Sequence, residues 1–135
     1  MSNLEKGFIL DQRLENDCFF IKDLKLSKLL LMNNALYPWF ILVPRRKNMT
    51  EIIDLSASDQ EILLEEINQI SKIIQNNYQP DKLNIANLGN IVSQLHIHII
   101  ARFKDDPSFP NPVWLDKNKS SYQEKTISKI KKYFY

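Results

Sequence analysis

Residues 94–100 read Gln-Leu-His-Ile-His-Ile-Ile, and this stretch holds both histidines of the 135-residue chain. Polar and apolar residues alternate in a β-branched run, which predicts a β-strand. Because successive side chains of a strand point to opposite faces, Gln94, His96 and His98 are expected on one face and apolar residues on the other. Neighbours on one face lie about 6.5–7 Å apart. Both imidazoles could therefore bind the same small anionic group.

The regions around this strand predict an α+β fold. Apolar runs of strand length occur at 18–22, 28–32 and 39–43, and another strand is expected at 82–86, before a turn that leads into the histidine strand. A short turn between the last two makes them antiparallel neighbours. We therefore expect an antiparallel sheet.

Two helices are expected beside this sheet. Ser58 and Glu61 form a capping-box pattern that predicts the start of a long amphipathic helix, which ends at 76–80. Glu66 is expected on its solvated face. Its apolar stripe consists of Leu63, Ile67, Ile70, Ile73 and Ile74. A second, basic helix is expected at 120–134.

Three stretches in the same order resemble the histidine triad (HIT) family. Residues 94–102 are similar to the family signature, His-x-His-x-His followed by two apolar residues and a short step to Arg. Residues 89–93 resemble the Gly-Gln-x-Val-x run before that signature, and residues 38–46 resemble an earlier apolar strand that ends in Pro and basic residues. The chain departs from the pattern at Gln94, which stands at the first triad histidine, and at Ala101, where many members place Pro.

The resemblance implies a HIT-like fold in one domain over residues 1–135: an antiparallel sheet of about five strands, one long helix across it and a C-terminal helix. It also implies a homodimer. The implied activity is nucleotidyl hydrolysis or transfer at the α-phosphate of a purine nucleotide conjugate or dinucleoside polyphosphate. The bond cleaved would be a phosphoanhydride or a phosphoramidate.

The triad positions carry the implied chemistry. By resemblance, His96 is the nucleophile that becomes nucleotidylated before water releases the nucleoside monophosphate. An imidazole is substantially neutral at pH 7, so one ring nitrogen can attack without an activating base, while the other needs an acceptor that fixes the tautomer. His98 would stabilise negative charge or donate a proton on the leaving side. Gln94 would donate its amide N–H to a phosphoryl oxygen but cannot carry a proton on and off. A catalytically weak or inactive nucleotide-binding module is the alternative function.

Further residues are expected to bind substrate. Asn90 falls at the Gln position of the Gly-Gln run, and Gly89 permits a close approach of backbone to ligand. Asn33 or Asn34 falls near the family residue that contacts the ribose hydroxyls, and Trp39 stands where many members place His. The remaining candidates, each with an ordinary structural explanation beside the functional one, are Asn84, Asn87 and Arg102.

Composition argues against several other classes of protein. A net charge of +2 is too small and dispersed to predict nucleic-acid binding. A single cysteine, Cys18, fits a reducing cytoplasm, and no stretch approaches the roughly 20 apolar residues of a membrane span. Two histidines and one distant cysteine fall short of the ligands zinc usually requires, so no protein metal site is expected. We expect no required cofactor, and any divalent cation would be bound with the substrate phosphates.

Overall fold

The sheet of this protein is fully antiparallel, as its computed structural model shows for residues 6–135, the part of the chain described here. Its five strands lie in the order β1-β2-β3-β5-β4. They are β1 (Cys18–Asp23), β2 (Ser27–Met32), β3 (Trp39–Pro44), β4 (Lys82–Ala86) and β5 (Ile97–Arg102). The α+β class with about five antiparallel strands is confirmed.

The two faces of the sheet bury different groups. The long helix α2 (Ala57–Tyr78) and the C-terminal helix α3 (Glu124–Lys132) cover one face, where Ile97 and Ile99 join the main core. The opposite face carries His98, Ile100 and a second apolar cluster that includes Leu14 and Trp39. A short helix, α1 (Gln12–Asp17), which the sequence analysis did not foresee, contributes to this second face.

Helix α2 differs from the sequence prediction at two points. Its N-cap is Ser56, whose hydroxyl accepts the N–H of Asp59 at 3.1 Å, so the helix already includes Ser58. Glu66 is buried rather than solvated, because its carboxylate accepts the backbone N–H groups at the start of β2, from Leu26 at 2.8 Å and Ser27 at 3.1 Å. The periodicity of the helix cannot predict that these backbone N–H groups lie next to it. Helix α3 is also shorter than the predicted 120–134.

Strand β5 begins at Ile97 rather than at Gln94. Its ladder with β3 stops at the pair Leu42–Ile97, and its ladder with β4 stops at Ala86–His98. Without a partner strand the preceding residues leave the sheet, so alternation between faces does not extend back to Gln94. None of the helices within residues 6–135 combines the length and apolarity that a bilayer crossing requires.

Candidate active site

A cleft of about 760 Å³ opens on the face of the sheet opposite α2. His96 and His98 line it, and both side chains are largely buried, at 5% and 4% exposure. The two rings lie 4.8 Å apart between centroids, at 70° to one another. The walls come from α1, from residues 88–92 and from the loop at 113–121. The structure thus brings the two histidines together in one concave site.

His96 presents an unprotonated nitrogen to the cleft. Its Nδ1 lies 2.7 Å from the backbone carbonyl oxygen of Gln94. A carbonyl oxygen only accepts hydrogen bonds, so the proton of the neutral ring sits on Nδ1, which donates to it. Nε2 then carries the lone pair and has no hydrogen-bond partner among the described residues. The predicted acceptor that fixes the tautomer of His96 is therefore this backbone carbonyl.

His98 has the opposite tautomer. The indole N–H of Trp39 donates to His98 Nδ1 at 2.9 Å. Because an indole nitrogen is only a donor, Nδ1 must be unprotonated and Nε2 carries the hydrogen. Burial, and after it the neighbouring His96, lower the pKa of His98 to about 3. His98 is therefore neutral at pH 7 and offers an N–H donor to the cleft.

Two tryptophans fix the ring of His98. Trp39, in β3, lies edge-on to it with 5.8 Å between centroids. Trp114 packs edge-on against it at 4.9 Å and also contacts Trp39 at 5.5 Å, so the three rings contact one another. Such packing restricts the ring to one orientation.

Five other predicted site residues do line the cleft: Gly89, Asn90, Asn33, Asn34 and Trp39. Gly89 has a φ of +78°, a backbone conformation that favours glycine. The side-chain oxygen of Asn33 accepts the N–H of Tyr122 at 3.0 Å, and that of Asn34 accepts the N–H of Leu36 at 3.2 Å, so both amides also order the neighbouring loops.

Four predicted site residues lie outside this cleft: Asn84, Asn87, Arg102 and Gln94. The guanidinium of Arg102 is buried and pairs with Asp106 at 2.8 Å, and it also donates to Asn84 Oδ1 at 2.8 Å. These two side chains therefore satisfy each other instead of facing substrate. Gln94 lies in a neighbouring depression, with its amide bound to the N-terminal segment. Its contact with a phosphoryl oxygen stays a prediction.

The cleft also contains residues that the sequence did not single out. Helix α1 contributes Arg13 and Asp17, and the loop after residue 113 contributes Asp116, Lys117 and Lys119. These lie 79 or more positions before, or 18 or more after, the histidines. Only a pattern shared with a known structure could have indicated them. Their charges are mixed, because each group combines basic residues with an aspartate.

The family model for the HIT domain matches residues 13–105. The chain belongs to the histidine triad (HIT) family. That membership suggests nucleotide binding or hydrolase or transferase activity. No match to this chain was found among curated proteins.

Three solved HIT structures resemble the chain over nearly its whole length. A histidine triad protein from Bradyrhizobium japonicum is 42% identical, with a TM-score of 0.91, covering 93% of this chain and 94% of its own. A HIT protein from Sinorhizobium meliloti is 38% identical, with a TM-score of 0.92 and 94% coverage of both chains. One from Marinobacter aquaeolei is 38% identical, with a TM-score of 0.91, covering 94% of this chain and 93% of its own. The predicted HIT fold is confirmed.

Proposed function

We propose that this protein is a nucleotidyl hydrolase or transferase that acts at the α-phosphorus of a nucleotide through a nucleotidylated His96. The observation that supports this most is the pair of opposite tautomers in one cleft. His96 offers a lone pair on Nε2, and His98 offers an N–H donor. The centroids of the two rings are 4.8 Å apart. A nucleophile beside a donor for developing negative charge is the arrangement that phosphoryl transfer through histidine needs.

In the first step, His96 Nε2 attacks the α-phosphorus and a P–N bond forms. The bond from phosphorus to the leaving group breaks, and the leaving group keeps the electron pair and takes a proton from water. The ring becomes cationic, and its Nδ1–H bond to the Gln94 carbonyl strengthens as this charge develops. That carbonyl therefore both fixes the tautomer and stabilises the intermediate.

His98 acts in this step as a hydrogen-bond donor rather than as an acid. Donation of the Nε2 proton would leave an anionic ring, since Nδ1 is unprotonated and held by Trp39. With a pKa of about 3, the ring also carries no second proton at neutral pH. Its N–H instead stabilises charge on the leaving side, which sharpens the two roles left open by the sequence.

In the second step, water attacks the phosphorus of the intermediate. The P–N bond breaks, its electron pair returns to His96 Nε2, and the water proton passes to solvent. The product is a nucleoside monophosphate. In the transferase variant of this step, another nucleophile replaces water. The chain itself holds the covalent intermediate, so no cofactor is proposed.

The remaining cleft residues suit a nucleotide. Leu14, Met32 and Val113 offer apolar surface for a base, which we propose is a purine, and the amide of Asn90 faces the cleft. Lys117 and Lys119 bring positive charge for phosphates. Within residues 6–135 no three side chains of His, Cys, Asp or Glu form a group that could hold a metal ion. We propose that any divalent cation is bound together with the substrate phosphates.

The test is a panel of adenylated and guanylated phosphoramidates, phosphoanhydrides and dinucleoside polyphosphates. We expect release of nucleoside monophosphate from at least one class, without added metal for the phosphoramidates. Binding of AMP or GMP with no release across the panel would instead support the nucleotide-binding module.

A homodimer, which the family resemblance implies, and a cytoplasmic location, which the single cysteine favours, remain proposals. The edge strand β4 exposes Ile85 at 49%, a surface on which a second copy could pack. Light scattering of the purified protein should give twice the 15.9 kDa chain mass if the dimer forms.

A further inference from the structure

Gln94 uses its side-chain amide to bind the N-terminal segment, residues 9–11. Its Oε1 accepts the backbone N–H of Asp11 at 2.8 Å, and its Nε2 donates to the carbonyl of Ile9 at 2.8 Å. The partners are separated from it by 83 and 85 positions in the chain. To reach a phosphoryl oxygen in the cleft, the amide would have to give up both bonds.

The segment held by Gln94 leads directly into a wall of the active site. Asp11 is the N-cap of α1, where its carboxylate accepts the N–H of Arg13 at 2.8 Å. Helix α1 then places Arg13, Leu14, Asn16 and Asp17 on the cleft. At six residues the helix is far too short to be stable by itself. Its position must therefore come from contacts made by its ends and its buried face.

Apolar contacts bury residues 8–14 against the second core, but they do not prevent this segment from sliding along its own axis. Phe8 and Leu10 pack against the second core, and Leu14 is buried in it. Such burial is non-directional. The far end of α1 is fixed by the Asn33 N–H, which donates to the Asp17 carbonyl at 2.9 Å, and by β1, which follows at once and pairs with β2. The paired bonds to Gln94 are the directional contact at the near end.

We propose that Gln94 is a positioning residue that links the nucleophile to the α1 wall of the cleft. Its backbone carbonyl orients His96, and its side-chain amide fixes the start of α1. The distance between nucleophile and wall is thus set through one residue. The inference rests on the proposed function and assigns the first triad position to substrate binding rather than to phosphoryl chemistry.

A glutamine suits this task because its amide accepts and donates at the same time from one planar group. In Gln94→Glu a carboxylate oxygen replaces the donor and faces the carbonyl of Ile9. In Gln94→Met both bonds are lost without any added charge. Gln69→Glu is the matched control, because Gln69 is an exposed residue of α2, on the side of the sheet opposite the cleft.

The experiment measures kcat and KM on the best substrate of the panel, the Kd for AMP by calorimetry, and backbone hydrogen exchange of residues 9–17 by mass spectrometry. For both variants we expect KM and the AMP Kd to rise about tenfold, with kcat changed less than about threefold. Gln94→Met loses two hydrogen bonds, while Gln94→Glu loses one and sets a carboxylate oxygen against the Ile9 carbonyl. Exchange at residues 9–17 should accelerate while β5 stays protected. Gln69→Glu should match the wild type in all three.

Two results would overturn the proposal. A kcat that falls tenfold or more at unchanged KM would show that Gln94 acts on the reacting phosphorus. Unchanged exchange and unchanged AMP affinity in both variants would show that the amide does not position α1. If the wild type releases no monophosphate, the proposed function fails on its own. Exchange and AMP binding then still decide the role of Gln94.

Discussion

The two ends of β5 both bury polar side chains, yet they use them differently. At the N-terminal end, His96 and His98 each have one ring nitrogen bonded within the protein, while the other meets the cleft with no partner among residues 6–135. At the C-terminal end, Arg102 is 1% exposed and its guanidinium donates to Asp106, Asn84, Ser108 and the Asn111 carbonyl. The histidines each leave one ring nitrogen free to bond a ligand, whereas the guanidinium uses its donors within the fold.

Buried polar groups are normally satisfied, and a buried group that is only half satisfied therefore needs an explanation. At the histidine end the explanation is a ligand that would complete the bonds. At the arginine end none is required, although the residue type alone made Arg102 a candidate for phosphate binding. A buried polar atom that lines a cleft without a partner therefore indicates a functional site better than the type of residue does.

The largest expected effect comes from removing the nucleophile. His96→Ala should lower turnover by about 10⁴-fold or more, because no other residue in the cleft offers the same lone pair. Binding of AMP should change little. Rapid quench of the wild type with labelled substrate should place label on a peptide spanning residues 94–102. Label on a different peptide, or turnover that survives in the variant, would contradict the assignment.

His98 should matter less than His96, and in a graded way. His98→Ala removes one donor on the leaving side and should cost about 10²–10³-fold in kcat with a poor leaving group. The loss should shrink as the leaving group improves. His98→Gln places an amide N–H near the same position and should recover part of the rate. Equal losses along a leaving-group series would mean that His98 only positions substrate.

The sequence predicted the site where local rules hold. Period-two alternation placed His98 correctly because Ile97 to Arg102 is a real strand with neighbours on both sides. It failed at Gln94 because a strand lasts only as long as its partner strands, and that limit is set by the ends of β3 and β4. The first triad position therefore left the face on which the sequence had put it.

Long-range pairing explains the other differences. Nothing local to Glu66 reveals that two backbone donors lie above it, and nothing local to Arg102 reveals Asp106 and Asn84 as its partners. In both cases a charged group is buried among partners that are distant from the local pattern. Periodicity reports which face a residue occupies but not what lies opposite that face.

Substitution of Arg102 tests whether this residue stabilises the fold or binds substrate. Arg102→Met should destabilise the protein by about 3–5 kcal/mol, because it leaves the Asp106 carboxylate buried without its partner. The kcat/KM of the folded variant should stay within about threefold of the wild type. Thermal unfolding and steady-state kinetics measure the two effects. A tenfold loss of kcat/KM in a fully folded variant would restore Arg102 as a substrate ligand.

The smallest effect is a pH dependence of stability that differs between the two ends. The pKa of His98 is lowered from 6.5 to about 3, so between these values the unfolded chain binds a proton there and the folded one does not. Its contribution is present above pH 6.5 and is lost as the pH falls toward 3. For Asp106, burial would raise the pKa, but hydrogen bonds from Arg102 and nearby backbone N–H groups outweigh it and hold the pKa at about 2, below 3.8. That contribution is lost only between about pH 3.8 and 2.

Unfolding by urea from pH 7 to pH 4 separates these windows. The free energy of unfolding of the wild type should fall relative to that of His98→Gln by up to about 1.4 kcal/mol per pH unit, which is the slope for one proton. Asp106 should contribute little to this change in the wild type, because its own window of proton uptake lies between about pH 3.8 and 2, below the range of the titration. A constant difference for His98→Gln would mean that His98 titrates freely in the folded protein. Protonation at Nδ1 would then break the hydrogen bond from the Trp39 indole, while the Nε2–H donor would remain.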